Sequence, residues 1–196
     1  MMNEKLSSKF QGHILIKDKD TGEVLIDKMN SINFENMSEA IALSLSDRPT
    51  GRIFEMVFGN GASTVSGIGA VTYFPPNVTG QTAQLYNQTY RKVVDNLSPL
   101  NVNTTDNYIL VQHTQGMTYT DIVINCTLEK SEPSGQDAFD NTTNTNGTFV
   151  FDELGLKTFS PITGNGKLIT HVIFHPVQKS LNRVIEIVYT IRIFMS

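Results

Sequence analysis

An alternation of large apolar residues near the C-terminus constrains the fold of this chain more than any other feature. Within residues 183–194 every second position is apolar, and Glu186, Thr190 and Arg192 share the positions between. The apolar positions are Ile185, Ile187, Tyr189, Ile191 and Ile193. Successive side chains of a β-strand point to opposite faces, so this pattern predicts an antiparallel strand with one buried face.

Further runs rich in β-branched residues are separated by turn residues such as Gly, Asn and Asp. Residues 12–17 and 23–27 flank the segment from Asp18 to Gly22 and predict a β-hairpin. The turn also resembles part of a calcium loop, but Met29 occupies the position of the bidentate glutamate, which disfavours a metal site. The remaining predicted strands are residues 52–58, 71–74, 107–114, 118–130, 149–159 and 167–177.

One segment has the period of a helix. In residues 34–46 apolar side chains recur at steps of three and four, Asn33 precedes them as an N-cap, and Pro49 closes the segment. The fold class predicted is mainly β, a single-domain antiparallel β-sandwich or barrel with one α-helix in the N-terminal half packed on the sheet. We assign residues 1–9 to an N-terminal arm and residues 10–196 to one β-rich domain.

Composition excludes several classes of protein. Charged residues make up 17% of the chain and the net charge is -4, which disfavours a nucleic-acid surface. No stretch approaches the roughly 18 apolar residues of a membrane helix, and the first ten residues lack the apolar core of a signal peptide. Cys126 is the one cysteine, which excludes an internal disulfide and indicates a small core side chain. We expect synthesis in a reducing compartment, with no nucleic-acid or membrane partner.

Candidate catalytic and metal-ligating residues are few. His171 and His175 would lie about 13 Å apart on one face of a strand, too far to share a metal ion. Asp152 and Glu153 are adjacent, so on a regular strand they face opposite ways and do not form a glycosidase pair. The glycine-rich segment 59–63 lacks the lysine of a phosphate-binding loop and predicts a turn. We therefore predict no enzyme activity, no cofactor, no metal and no catalytic residue.

Aromatic residues of the middle segment are the candidate contact residues. Tyr73, Phe74, Tyr86 and Tyr90 are of the type that buries a large area when subunits meet, although core packing explains them nearly as well. Residues 82–94, which carry two of them, fit a short helix or an irregular arm. Long polar segments are further candidates, because loops of such length in compact domains tend to be functional. These are residues 64–79, 97–107 and 131–147, the last with Phe139 and Asn144, together with the arm 1–9.

Several segments together resemble small virion structural proteins of tailed bacteriophages, of the tail, collar and fibre-attachment kind. Phe151, Asp152 and Glu153 begin the most characteristic of them, a Phe-Asp-Glu-Leu-Gly-Leu strand. The segments are residues 12–28, 32–38, 58–62, 132–136, 149–156 and 171–179. The resemblance implies a non-enzymatic protein that is assembled in the host cytoplasm and joins or completes a tail, neck or baseplate in the virion. Its implied partners are other virion structural proteins and symmetric copies of itself.

Two other functions stay open from the sequence. A capsid decoration protein would bind the head as a trimer or monomer and stabilise the shell by burying additional area. A carbohydrate-binding adhesin would use Tyr73, Tyr86 or Tyr90 as stacking platforms. The chain contains no Trp, usually the strongest stacking residue, which disfavours the adhesin.

Overall fold

The structure is a computed structural model that describes residues 8–138 and 148–195. It contains twelve strands and one α-helix, α1 (Phe34–Leu45), which is followed by a short 3-10 turn (Pro49–Gly51). The strands are β1 (Ser8–Asp18), β2 (Val24–Met29), β3 (Ser31–Ile32), β4 (Ile53–Gly59), β5 (Ser63–Val65), β6 (Val71–Tyr73), β7 (Gln88–Val93), β8 (Tyr108–His113), β9 (Tyr119–Leu128), β10 (Thr148–Thr158), β11 (Leu168–Ser180) and β12 (Ile185–Met195).

Two five-stranded antiparallel sheets form a β-sandwich. Sheet A has the order β2-β1-β12-β9-β8, and sheet B has the order β3-β11-β10-β4-β7. A separate hairpin of β5 and β6 completes the strands. The mainly β class, the antiparallel pairing and the single helix predicted from the sequence are confirmed, and of the two predicted architectures the structure has the sandwich.

The alternating isoleucines occupy the centre of sheet A. β12 pairs with β1 on one side and β9 on the other, and Ile187 lies opposite Ile16 and Cys126. All three side chains are fully buried in a core that aromatic residues of sheet B complete, among them Phe58 and Phe151. Burial removes the Cys126 thiol from water and raises its pKa to about 12.

Helix α1 closes one end of the sandwich. The Asn33 side chain accepts a hydrogen bond from the Asn36 amide, as the predicted N-cap requires. Met37 and Ala40 turn inward to the core, and the Asn36 side chain donates to the carbonyl of Leu168 in β11. The predicted helix and its packing on a sheet are confirmed.

Residues 74–87, which we call the outer arm, cross the outer face of sheet B. Leu85 of the outer arm packs against Val57 and Leu168 in a small apolar cluster separate from the main core. Of the two alternatives for residues 82–94, the helix is excluded and the irregular arm holds only for residues 82–87, because residues 88–93 form the edge strand β7 beside β4. The predicted boundary of the N-terminal arm also shifts, since Ser8 and Lys9 already belong to β1.

Candidate functional site

Three of the predicted contact aromatics gather at the surface. Tyr73, Phe74 and Tyr86, which we call the aromatic cluster, are 44%, 40% and 43% exposed. The rings of Phe74 and Tyr86 lie 5.2 Å apart, and the Tyr86 hydroxyl donates to the carbonyl of Pro75. The Tyr73 hydroxyl is hydrogen-bonded to Nδ1 of His175 at 3.0 Å. The cluster therefore combines half-exposed rings with fixed orientations.

Tyr90 does not belong to this surface. It is 6% exposed and packs on Phe58 and Phe149 inside the sandwich, so its prediction as a contact residue is wrong. Burial also raises the pKa of its hydroxyl. The physical reason is that Tyr90 lies in β7 opposite Phe58, where alternate side chains face the core. Phe139 and Asn144 lie outside the described residues.

The outer arm that carries Phe74 and Tyr86 is held by a buried carboxylate. Oε1 of Glu153 accepts from the amides of Asn87 at 2.8 Å and Gly61 at 3.2 Å. Oε2 accepts from the amide of Tyr86 at 2.9 Å and faces Nε2 of His171 at 3.0 Å. We call these five residues the Glu153 network. The carboxylate replaces its lost hydration with four partners, which is what burial of a charged group requires.

His171 connects the network to the other end of the outer arm. The amide of Asn77 donates to Nδ1 of His171 at 2.8 Å, so this nitrogen must be an acceptor. A neutral imidazole with an acceptor at Nδ1 carries its proton on Nε2, which then donates to Glu153. Both side chains are 0% exposed. Residues 77 and 86–87 are therefore tied to adjacent strands of sheet B through one continuous hydrogen-bond path.

Asp152 binds the neighbouring turn, and the expectation that Asp152 and Glu153 face opposite ways is wrong. The Asp152 carboxylate accepts from the amide of Ala62 at 3.1 Å and from the hydroxyl of Ser63 at 2.5 Å. The pairing of β10 with β11 shifts register between Phe151 and Glu153, and this β-bulge brings both carboxylates to one turn. Burial raises the pKa of Asp152, and its hydrogen bonds to residues 62 and 63 oppose that shift.

The glycine-rich turn after β4 donates hydrogen bonds to carboxylate side chains of the protein itself. The amides of Gly61 and Ala62 point at the carboxylates of Glu153 and Asp152, where a phosphate-binding loop would present them to a ligand. A Cβ atom on Gly59 would lie 2.4 Å from the carbonyl oxygen of Asn87 and 2.5 Å from Oε1 of Glu153. This position excludes any larger residue, because the network needs that space.

The two histidines of β11 lie in different environments. His171 is covered by the outer arm, and the Tyr86 ring lies 5.9 Å from its imidazole. His175 is exposed beside Tyr73 and lines an open cleft of about 350 Å³ together with Lys28 and Phe174. Of the residues that the structure describes, no three His, Cys, Asp or Glu side chains form a group able to hold a metal ion.

The network has one signal in the sequence that was missed. Residues 149–156 form a nearly continuous apolar run that Asp152 and Glu153 interrupt. Continuous apolar strands are buried on both faces, and a charged group in such a strand must be paired. The partners themselves carry no signal, because three of the four donors to Glu153 are backbone amides.

A membrane-crossing helix is not found in the described part of the chain, where no helix has the necessary length and apolar character. Comparisons with protein-family models, curated protein sequences and solved structures found no match to this chain.

Proposed function

We propose that this chain is a non-enzymatic structural protein of a tailed-phage virion, which joins or completes a tail, neck or baseplate assembly. Its contacts with other virion proteins include the aromatic cluster of Tyr73, Phe74 and Tyr86. The observation that carries the proposal is the Glu153 network. In it two buried ionisable side chains, those of Glu153 and His171, position the surface segment that bears Phe74 and Tyr86.

Fixed, half-exposed aromatic side chains suit a protein interface. Tyr and Phe are enriched where proteins meet, since their rings bury a large area while few torsions are lost. The outer arm is bound at Asn77 and at Tyr86 before any partner arrives. Binding of a partner then loses little conformational entropy, because the arm is already ordered. This favours a specific contact in a particle that is built from many protein copies.

The same geometry supports a positional role for Glu153 and His171 over a catalytic one. A general acid or base must reach the proton that it transfers in a substrate. Both oxygens of Glu153 and both ring nitrogens of His171 are already occupied by protein partners, and neither side chain is exposed. Glu153 and His171 therefore use their hydrogen-bonding atoms for contacts within the protein.

The direct test is to locate the chain in purified particles of the phage that carries its gene, by cryo-EM with density identification. Density at the tail, neck or baseplate is the expected result. Density distributed over the head would favour the decoration protein. Absence of the chain from mature particles would contradict the proposal.

A matched pair of variants tests the aromatic cluster. Phe74→Ala removes a ring of the cluster, whereas Phe34→Ala removes an exposed ring at the start of α1. We expect Phe74→Ala to reduce incorporation into particles and Phe34→Ala to leave it unchanged, with both proteins folded by circular dichroism. Equal incorporation of the two variants would exclude the cluster as the contact.

A glycan array on the isolated protein distinguishes the adhesin. The Phe74 and Tyr86 rings are inclined by 43° to each other, so together they do not form a flat platform for a sugar. We expect no glycan binding. Binding that is lost in Tyr86→Ala would favour the adhesin over the virion protein.

A further inference from the structure

One of the two edges of sheet A is a second candidate interaction surface. A sheet edge exposes unpaired amides and carbonyls, and proteins usually block such edges with charged residues, bulges or covering segments. This sandwich has four edges, formed by β2, β8, β3 and β7. They differ in how they are blocked, and the difference identifies one of them.

Three edges carry a blocking feature. At β7 the Gln136 side chain accepts from the amide of Arg91 and donates to its carbonyl, and the amide of Asp137 donates to the carbonyl of Thr89. β2 contains Asp27 and Lys28, and its pairing with β1 is interrupted by a register shift. β3 is two residues long.

The outer edge of β8 is covered at one position only, where the Asn96 side chain accepts from the amide of Ile109. Its sequence, Tyr-Ile-Leu-Val-Gln-His, contains no Lys, Asp, Glu or Pro, and its pairing with β9 runs without a register shift. No other strand in residues 8–138 and 148–195 pairs with its free side. The amide of Ile109 is turned away from β9 and donates to the side chain of Asn96. In an antiparallel ladder the direction alternates, so the amides and carbonyls of Val111 and His113 also point outward.

Exposed apolar side chains surround this edge. Val111 is 65% exposed, Leu110 is 47% exposed and Leu97, in the adjacent loop, is 82% exposed. Ile109 and Val111 lie opposite Ile124 and Ile122, so they share the inner face of sheet A and line an apolar groove of about 450 Å³ beneath α1. An open edge beside exposed apolar residues is typical of an interaction surface.

We propose that β8 is a dimer interface, which pairs antiparallel with β8 of a second copy of this chain about a two-fold axis through Val111. In this register Val111 faces Val111 of the partner subunit, and Ile109 faces the partner's His113. Two main-chain hydrogen bonds form between the Val111 residues. Beside them the Asn96 side chain holds the place of the carbonyl of the partner's His113, so it turns away on pairing, and residues 109 and 113 of the two copies then exchange main-chain hydrogen bonds.

A second copy is favoured as the occupant because the strand is self-complementary. β8 is free of Lys, Arg, Asp and Glu, so pairing it with itself places no like charges of these side chains opposite each other. Directly opposed residues of an antiparallel pair share a face. The partner's Val111 therefore lies beside this Val111 at the mouth of the groove, where both lose exposed apolar area. The inference stands apart from the proposed function, because β8 lies at the edge of sheet A opposite β2, and the aromatic cluster adjoins β2.

The test is sedimentation equilibrium over about a hundredfold range of protein concentration, where a dimer shows a concentration-dependent mass. Val111→Pro removes the outward amide while an edge strand tolerates proline. Val111→Lys places two like charges at the axis. The matched control is Val65→Lys in β5, since Val65 is also 65% exposed. We expect each Val111 variant to raise the dimer dissociation constant at least about tenfold and the control to leave it unchanged.

Two results would overturn the interface. One is a wild-type protein that stays monomeric over the whole range. The other is a dimer that Val65→Lys weakens as much as Val111→Lys does. Hydrogen exchange gives an independent readout, because the Val111 and His113 amides must become protected as concentration rises. Urea unfolding of each variant establishes that a lost dimer is not lost folding.

Discussion

Replacing Glu153 with glutamine keeps the shape of the side chain and exchanges one acceptor oxygen for an NH2 group. The glutamine oxygen can accept from the amides that now bind Oε1, those of Asn87 and Gly61. The new NH2 group then faces the amide of Tyr86 and Nε2 of His171, both of which are donors. His171 cannot resolve the conflict by moving its proton, because its Nδ1 already accepts from Asn77.

The magnitude follows from the two donors that lose their acceptor. A buried donor without a partner costs about 1–3 kcal/mol, so Glu153→Gln should destabilise the fold by about 2–6 kcal/mol. That is a large part of a total stability of about 5–15 kcal/mol. The adjacent Asp152→Asn is the matched control. Its amide oxygen can accept from Ala62 and its NH2 group can donate to the Ser63 hydroxyl, so we expect a change below about 1 kcal/mol.

The assay is equilibrium unfolding in urea, combined with hydrogen exchange at individual amides. We expect a lower urea midpoint for Glu153→Gln and fast exchange at Asn77, Tyr86 and Asn87, since the outer arm detaches from sheet B. In Asp152→Asn these amides should stay protected. If both variants have the same urea midpoint and protected amides, the Glu153 network does not hold the outer arm, and the reasoning fails.

Three other perturbations have defined outcomes. Hydrogen bonds lower the pKa of Asp18, Asp106 and Asp121 below the ordinary 3.8, so the stability that they contribute is present above that pH and is lost as the pH falls through their folded-state values. The urea midpoint should therefore fall steeply below about pH 4, and less steeply in Asp121→Asn. Ile187→Asp places an unpaired charge in the core and should abolish soluble expression, whereas Ile187→Val should cost about 0.5–1.5 kcal/mol in a urea titration. Cys126 should react with a thiol reagent only at the rate of global unfolding, because its thiol is buried and protonated.

The parts of the fold that follow from neighbouring residues could be predicted from the sequence. The alternation around Ile187 places β12 with the correct buried face, and the turn at Asp18 places the first hairpin. Asn33 and the apolar period behind it place the helix. Each of these patterns indicates which side of a helix or strand is buried, and the residues that form the pattern lie close together in the sequence.

The candidate site could be predicted only in part, because distant residues assemble it. Tyr86 and Glu153 are 67 positions apart, and their hydrogen bond involves a backbone amide that any residue except proline would supply at position 86. The rule that adjacent strand residues face opposite ways failed at Asp152 and Glu153 because of the β-bulge. The sequence pattern did not separate Tyr86 from Tyr90, because Tyr90 is buried through the pairing of β7 with β4, a strand that is distant in the sequence.

The aromatic cluster and the β8 edge should act independently, because the cluster adjoins one edge strand of sheet A and β8 is the edge strand on the other side. The cluster adjoins Lys28 and Met29 of β2, which is the other edge strand of that sheet. With a strand spacing of about 4.8 Å, the four spacings from β2 to β8 span about 19 Å.

A dimer through β8 would carry its two clusters at its far ends, and under the virion function proposed above it would bind an array of virion sites with two contacts. Val111→Pro should therefore leave binding to a single immobilised site unchanged and weaken binding to assembled particles, since the gain from bivalency is lost. Phe74→Ala should weaken both kinds of binding and leave the dimer intact. If Val111→Pro weakened single-site binding as much as Phe74→Ala does, the two surfaces would be one interface, and the separation would be wrong.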